Sequence, residues 1–248
     1  MNLEKLIKAQ PHYPPRILIY STPGWGKTTF VSSMPSPVII DAEDGALDDN
    51  VATIKASTYP DVEEALRALI TEKHDFKTVI IDTTSAVEKM IFATVCEEKH
   101  VKSIEDIGYS KGFFFAMTHW EKIIDGMGKL REKGIATVFS AHSEIKTINS
   151  PTTDPYDKFV LKLHKHPAAR LTEWADIIMF GENRVIVAEV GEGFGKKMKG
   201  VGPGERVLYT EDRPAFLAKQ KSGFMLPPEI IIPKDNGWKV VADVLKRP

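Results

Sequence analysis

Residues 16–34 read RILIYSTPGWGKTTFVSSM, and the order of residue types within them decides the fold. Ile17, Leu18 and Ile19 form an apolar run, Pro23, Gly24 and Gly26 punctuate a bend, and Lys27, Thr28 and Thr29 stand where a helix begins. The pattern predicts a buried strand, a phosphate loop from Thr22 to Thr29, and a helix. Small residues let backbone N–H groups converge on phosphate oxygens, and the helix N-terminus adds partial positive charge. Lys27 is then expected to reach the β and γ phosphates of a nucleotide triphosphate, with Thr28 a ligand for Mg²⁺. Ser21 occupies the place of the first glycine in the usual G-x-x-x-x-G-K-[ST] pattern, and Trp25 puts bulk at the loop tip, where it is expected to face a neighbour. A tight turn before a helix with an idle lysine would use some of these residues. It would not need the strand, the glycines, Lys27 and Thr28 in this order.

The chain of 248 residues suits one large domain, or one domain with an appendage, and can bury a sizeable core. Hydrophobic residues make up 42% and charged residues 27%, the balance of a soluble globular protein. No apolar run approaches a membrane span. A net charge of −1, from 33 basic and 34 acidic side chains, leaves no whole-protein basic field, so contact with nucleic acid must rest on local patches or on assembly into an array. Cys96 is the one cysteine and excludes an intramolecular disulfide framework, which with the lack of a signal peptide points to the cytoplasm. Within its helical pattern Cys96 reads as a small core residue.

Residues 1–15 are expected to form an N-terminal arm, an amphipathic helix with Leu3, Leu6 and Ile7 on one face followed by a proline-stiffened segment; 16–234 form the core and 235–248 a C-terminal helix with Trp238, Val241, Ala242 and Leu245 on one face. PVIID, ending at Asp41, reads as a buried parallel strand that delivers Asp41, Glu43 and Asp44 to its C-terminal end, the edge where open α/β sheets bind ligands. Val79, Ile80 and Ile81 run in the same way into Asp82, the usual partner of a phosphate loop for holding Mg²⁺; capping the next helix is the alternative role. In GYSKGFFFAM, residues 108–117, the aromatics invite a nucleic-acid platform, but their helical spacing favours core packing. IATVFSA, residues 135–141, is a strand with His142 at its end, and 143–159 reads as a long polar loop. His164 and His166 are expected on one strand face as ordinary polar residues rather than as a metal site. NRVIVAEV and ERVLYT read as the two strands of a hairpin whose tip carries Lys196, Lys197 and Lys199.

Asp82 is followed by Thr83, Thr84 and Ser85, so the catalytic acid that many AAA+ proteins carry beside the Mg²⁺ aspartate has no counterpart there. The acids of IIDAEDGALDD, on the strand after the loop helix, stand in its place. VIIDAEDGALD resembles the RecA segment that carries the catalytic glutamate, which implies Glu43 as the base that orients water on the γ-phosphate. VFSAHSEIK resembles the RecA strand whose terminal polar residue senses the γ-phosphate ahead of the second DNA-binding loop, which implies that role for His142. FLAKQKSG resembles the Lys-x-Lys element that reaches the neighbouring protomer's ATP, which implies trans-acting cations at Lys219 and Lys221. Across residues 15–230 the sequence is similar to the small phage-encoded RecA-like ATPases, also known as phage nucleotide-binding or AAA-domain proteins. LKLHKHPAARLTEWAD, the Arg213–Lys219 element and SGFMLPPEI look like signatures of that group.

The resemblance implies an α/β phosphate-loop fold of RecA-like type, with a mostly parallel central sheet, flanking helices and C-terminal antiparallel strands. It implies an ATPase that uses ATP and Mg²⁺, assembles as a homo-oligomer or filament on single-stranded DNA, and anneals or exchanges strands in phage-type recombination in the bacterial host cytoplasm. Phage replication or recombination proteins are the further partners it implies, and no membrane. A nucleotide-gated scaffold or loader for a replication protein, with little ATPase activity, is the alternative.

Overall fold

The structure, a computed structural model, describes residues 13–43, 45, 50–190, 197–201 and 204–245. Residues 1–12 of the expected arm, Asp44 and Lys196 lie outside the described residues. The chain runs β1 (Arg16–Ser21), α1 (Lys27–Ser32), β2 (Pro37–Asp41), β3 (Ala52–Lys55), α2 (Tyr59–Thr71), β4 (Thr78–Asp82) and α3 (Thr84–Lys99). After a 3₁₀ turn at Ile104–Asp106 come α4 (Lys111–Glu132), β5 (Ala136–Ile148), β6 (Tyr156–Leu161), α5 (Lys165–Trp174) and β7 (Ile177–Asn183). The last part holds β8 (Ile186–Val190), β9 (Lys197–Val201), β10 (Arg206–Tyr209), β11 (Lys219–Gln220), β12 (Glu229–Ile232) and α6 (Gly237–Val244).

The main sheet has the order β12-β10-β7-β1-β5-β4-β2-β3. From β7 to β3 every neighbouring pair is parallel, and β10 and β12 extend the sheet antiparallel. Of the parallel strands β1, β2 and β4 are buried on both faces, as their continuous apolar runs require, while β3 at the edge is mostly exposed. Alternate residues of β1 serve opposite layers: Leu18 and Tyr20 pack with α2, α3, α4 and α5, whereas Ile17 and Ile19 pack with Trp25, Phe30 of α1 and Trp238 of α6. The C-terminal helix is thus seated on the loop helix, with the rings of Phe30 and Trp238 6.0 Å apart, edge to face. No described helix is long and apolar enough to cross a membrane.

Three expectations are corrected. The polar stretch after His142 is not one long loop, because β5 continues to Ile148 and pairs antiparallel with β6, from Ser143 opposite Leu161 to Ile148 opposite Tyr156, leaving only 149–155 as the connection. β8 pairs with β9, inside the Gly/Lys segment, as a separate two-stranded sheet, while β10 joins the main sheet between β7 and β12. Lys197 and Lys199 fall on β9. His164 and His166 are not on a strand: His164 is the N-cap of α5, its ring accepting from the His166 N–H, and it stacks on Phe113 at 3.9 Å.

Candidate nucleotide-binding site

Parallel strands bring their C-terminal ends to one edge, and the site collects there. Ser21 pairs with His142 across β1 and β5, and Asp82 pairs with Ser140 on one side and Asp41 on the other. Beyond Ser21 the chain turns through Gly24 (φ 75°) and Gly26 (φ 90°), the two loop positions where glycine's freedom is needed. Ser21 itself is the last residue of β1, an extended position where a glycine has no advantage; it is buried, and its carbonyl accepts from Ser143 Oγ at 2.9 Å.

Lys27 is buried at the start of α1. Burial draws its pKa down, and the charges of Asp82 and Glu43 oppose that. Its Nζ lies 3.2 Å from His142 Nδ1, and His142 Nε2 lies 2.9 Å from both carboxylate oxygens of Glu43. An ammonium only donates, so Nδ1 accepts and Nε2 carries the proton toward Glu43. Lys27, His142 and Glu43 therefore form one contact chain from three separate elements. Glu43 is fixed at its base, where its N–H donates to Asp41 Oδ1 at 3.1 Å, while Thr83 Oγ1 donates to its Oε2 at 3.3 Å.

Thr28 Oγ1 donates to Asp82 Oδ2 at 2.7 Å. The second oxygen of Asp82 is buried without a partner among the described residues, as is Asp41 Oδ2. Orphaned carboxylate oxygens beside a hydroxyl suit a hard, oxygen-seeking cation, so the residues fit Mg²⁺. Thr83 caps α3, its hydroxyl accepting from the Ala86 N–H, which leaves Asp82 free of a capping role. Asp41, expected only as one of three acids at the ligand edge, gains a place beside the Asp82 carboxylate, because PVIID and TVIID are two apolar runs that each end in Asp and lie side by side in register.

Beyond Glu43 and His142 an open cleft of about 770 Å³ continues past Pro23, Ser85, Glu88 and Lys162. Glu88 accepts from the His164 N–H at 2.9 Å, and burial pushes its carboxyl up to about 7. On the same side lie the aromatics of 108–117, and the expectation of core packing fails for Tyr109, Phe114 and Phe115, which are 95%, 60% and 38% exposed. Lys99 Nζ stands 4.1 Å from the centre of the Phe115 ring, and Phe114 lies 5.2 Å from His166.

Trp25 does not face a neighbour. It is 1% exposed, its Nε1 donates to Val207 O at 3.1 Å, and Gly181 makes room for it: a Cβ there would come within 2.6 Å of the indole. Thr22 N–H donates to the Gly181 carbonyl, while Pro23, Gly24 and Thr29 are accessible at the loop's outer side. Lys219 and Lys221 are not at this edge. They sit where β11 pairs with the start of β7, at the other end of β1, with Lys219 Nζ donating to Thr172 O and Lys221 Nζ 3.0 Å from Asp176 Oδ1.

With β5 between the loop strand β1 and the Asp82 strand β4, and with acids after β2, fold and site define a phosphate-loop protein of RecA-like type. A sequence profile described as an AAA domain matches residues 13–222, and the chain belongs to that family. The chain is also similar to the crystal structure of the RadB recombinase, with 12% identity over 91% of this chain and 90% of that one and a TM-score of 0.49. No curated protein matches it.

Proposed function

We propose that this protein binds and hydrolyses ATP with Mg²⁺ and acts on single-stranded DNA, as an oligomer or filament, in annealing or strand exchange of the phage type. The observation that carries the reading is the contact chain Lys27–His142–Glu43 beside the Thr28–Asp82 pair. Thr22 to Thr29 cradle the phosphates in this reading, and Lys27 offsets their charge. Thr28 and Asp82 would hold Mg²⁺, which would supply charge neutralisation on the phosphate oxygens. Glu43 orients the attacking water and takes its proton, a task that is mostly positioning. With Lys27 drawn to the phosphates, His142 turns its Nε2–H from Glu43 to the γ-phosphate and passes the change to the β5–β6 ribbon it opens. Lys219 and Lys221 serve the site of an adjacent copy.

For DNA the reading is supported by the exposed rings of Tyr109, Phe114 and Phe115 beside Lys99 and Lys111, because aromatic faces stack bases while lysines meet phosphates. The test is the ATPase rate with and without single-stranded DNA across a salt series. Stimulation is expected, with affinity falling by about 0.7 log unit per log unit of salt for each phosphate neutralised. Turnover indifferent to DNA would remove the recombination reading. A scaffold or loader with little turnover is the second reading, favoured by the engagement of Glu43 with His142; tight ATP binding without hydrolysis in either condition would select it.

A further inference from the structure

One guanidinium ties the phosphate loop to the C-terminal strands. Arg206, the first residue of β10, donates from Nη2 to the Gly26 carbonyl at 3.1 Å, and from Nη1 to the carbonyls of Pro233 and Lys234 at 3.0 and 3.1 Å. Its plane lies over Trp25, 4.8 Å from the ring centre, and a Cβ on Gly26 would come within 3.1 Å of Nη2. Burial draws the guanidinium's pKa down, and Asp235 opposes this.

The geometry matters because a peptide unit is planar and trans, so its C=O and N–H point in opposite directions. The Gly26 carbonyl belongs to the same unit as the Lys27 N–H. Holding that carbonyl on Arg206, and on the Phe30 N–H at 3.0 Å, turns the Lys27 N–H the opposite way, toward the hollow of the loop. We propose that Arg206 is a positioning residue of the nucleotide site: it pre-sets the Gly26–Lys27 peptide so that the loop meets the phosphates without reorganising. The inference rests on the reading that residues 22–29 hold a nucleotide. Only a planar fork can span the Gly26 carbonyl and the carbonyls of 233–234 while stacking on Trp25; a lysine ammonium keeps the charge and loses the span.

The experiment measures ADP affinity by calorimetry, and KM and kcat for ATP, in the full chain carrying Arg206→Ala or Arg206→Lys, with nucleotide-free melting to follow the fold. Losing charge-assisted contacts that organise the loop should weaken ADP about tenfold or more and raise KM by a similar factor, with kcat at saturation near wild type. Methylguanidinium should restore much of the affinity of Arg206→Ala. Where Arg206→Ala does not fold, Arg206→Lys carries the test, with the same weakening expected. Wild-type ADP affinity in the folded variants, or a fall in kcat at unchanged KM, would overturn the positioning role. Wild-type protein that binds neither ADP nor ATP would instead overturn the nucleotide reading, and this inference with it.

Discussion

At the scale of single residues, Glu43 is the side chain on which the proposed turnover rests, and its surroundings define what a substitution removes. It is 48% exposed on its side chain and held by the His142 ring, Thr83 and its own N–H on Asp41, so Glu43→Gln keeps the shape while removing the charge and one accepting oxygen. That variant should bind ATP with near wild-type affinity and release phosphate about 10²–10⁴-fold more slowly. A wild-type rate would move the base elsewhere. Lys27, Thr28 and Asp82 were legible in the sequence because each lies at the end of an apolar strand run or at a fixed spacing from the glycines, whereas Glu43 stood out from its neighbouring acids only by the resemblance to the RecA segment. Trp25 and Arg206 were not. Their roles depend on Val207, Gly181 and residues 233–234, far along the chain, and nothing local to either residue encodes that meeting.

At the scale of elements, α4 exposes the limit of reading helical periodicity. Successive residues on a helix step by about 100°, so three adjacent phenylalanines cannot share one face. Phe113 turns inward onto His164 and Phe92, whereas Phe114 and Phe115 remain exposed, with Tyr109 just before the helix. Their exposure makes a clean test possible. Tyr109→Ala with Phe114→Ala should leave the melting temperature almost unchanged and weaken a labelled single strand by about 1–3 kcal/mol for each stacked base lost, read by anisotropy. Unchanged anisotropy titrations would rule out the platform. The β5–β6 ribbon escaped the sequence reading for another reason. Its outer residues, such as Lys146, Thr147, Asp157 and Lys158, are polar on both faces, and such strands carry no apolar alternation. The central parallel strands β1, β2 and β4, by contrast, are continuous apolar runs that the sequence makes plain.

At the scale of the whole molecule, Asp176 ties the start of the sheet together. It accepts from Arg16 N and Nε at 3.1 Å, from Arg16 Nη2 at 2.7 Å, from Arg131 at 3.4 Å and from Lys221 at 3.0 Å, linking β1, α4 and the segment after β11. Burial works against its charge, but Arg16 and Lys221 outweigh that and hold the carboxyl at about 2 against an ordinary 3.8. A depressed carboxyl stabilises the fold fully above the unfolded value, and this stability is lost as pH falls through the folded one. The shift corresponds to about 2 kcal/mol. Denaturant melts of wild type should therefore lose this increment between about pH 4 and pH 2. Asp176→Asn should be less stable at pH 7 and flatter across that window; parallel curves for the two proteins would assign the tie no such role.

The same end of β1 has a bearing on symmetry. Lys219 and Lys221 stand at the strand's start and the phosphate loop at its finish, so a copy that lends these lysines to another uses a different surface from the one that receives them. A two-fold dimer can make that exchange only reciprocally, each copy completing the other's site, whereas head-to-tail stacking makes it in one direction and closes as a ring or grows as an open polymer. In an open stack of n copies, n − 1 nucleotide sites are completed and one at the end is not. Specific activity per subunit should then climb with assembly length as (n − 1)/n.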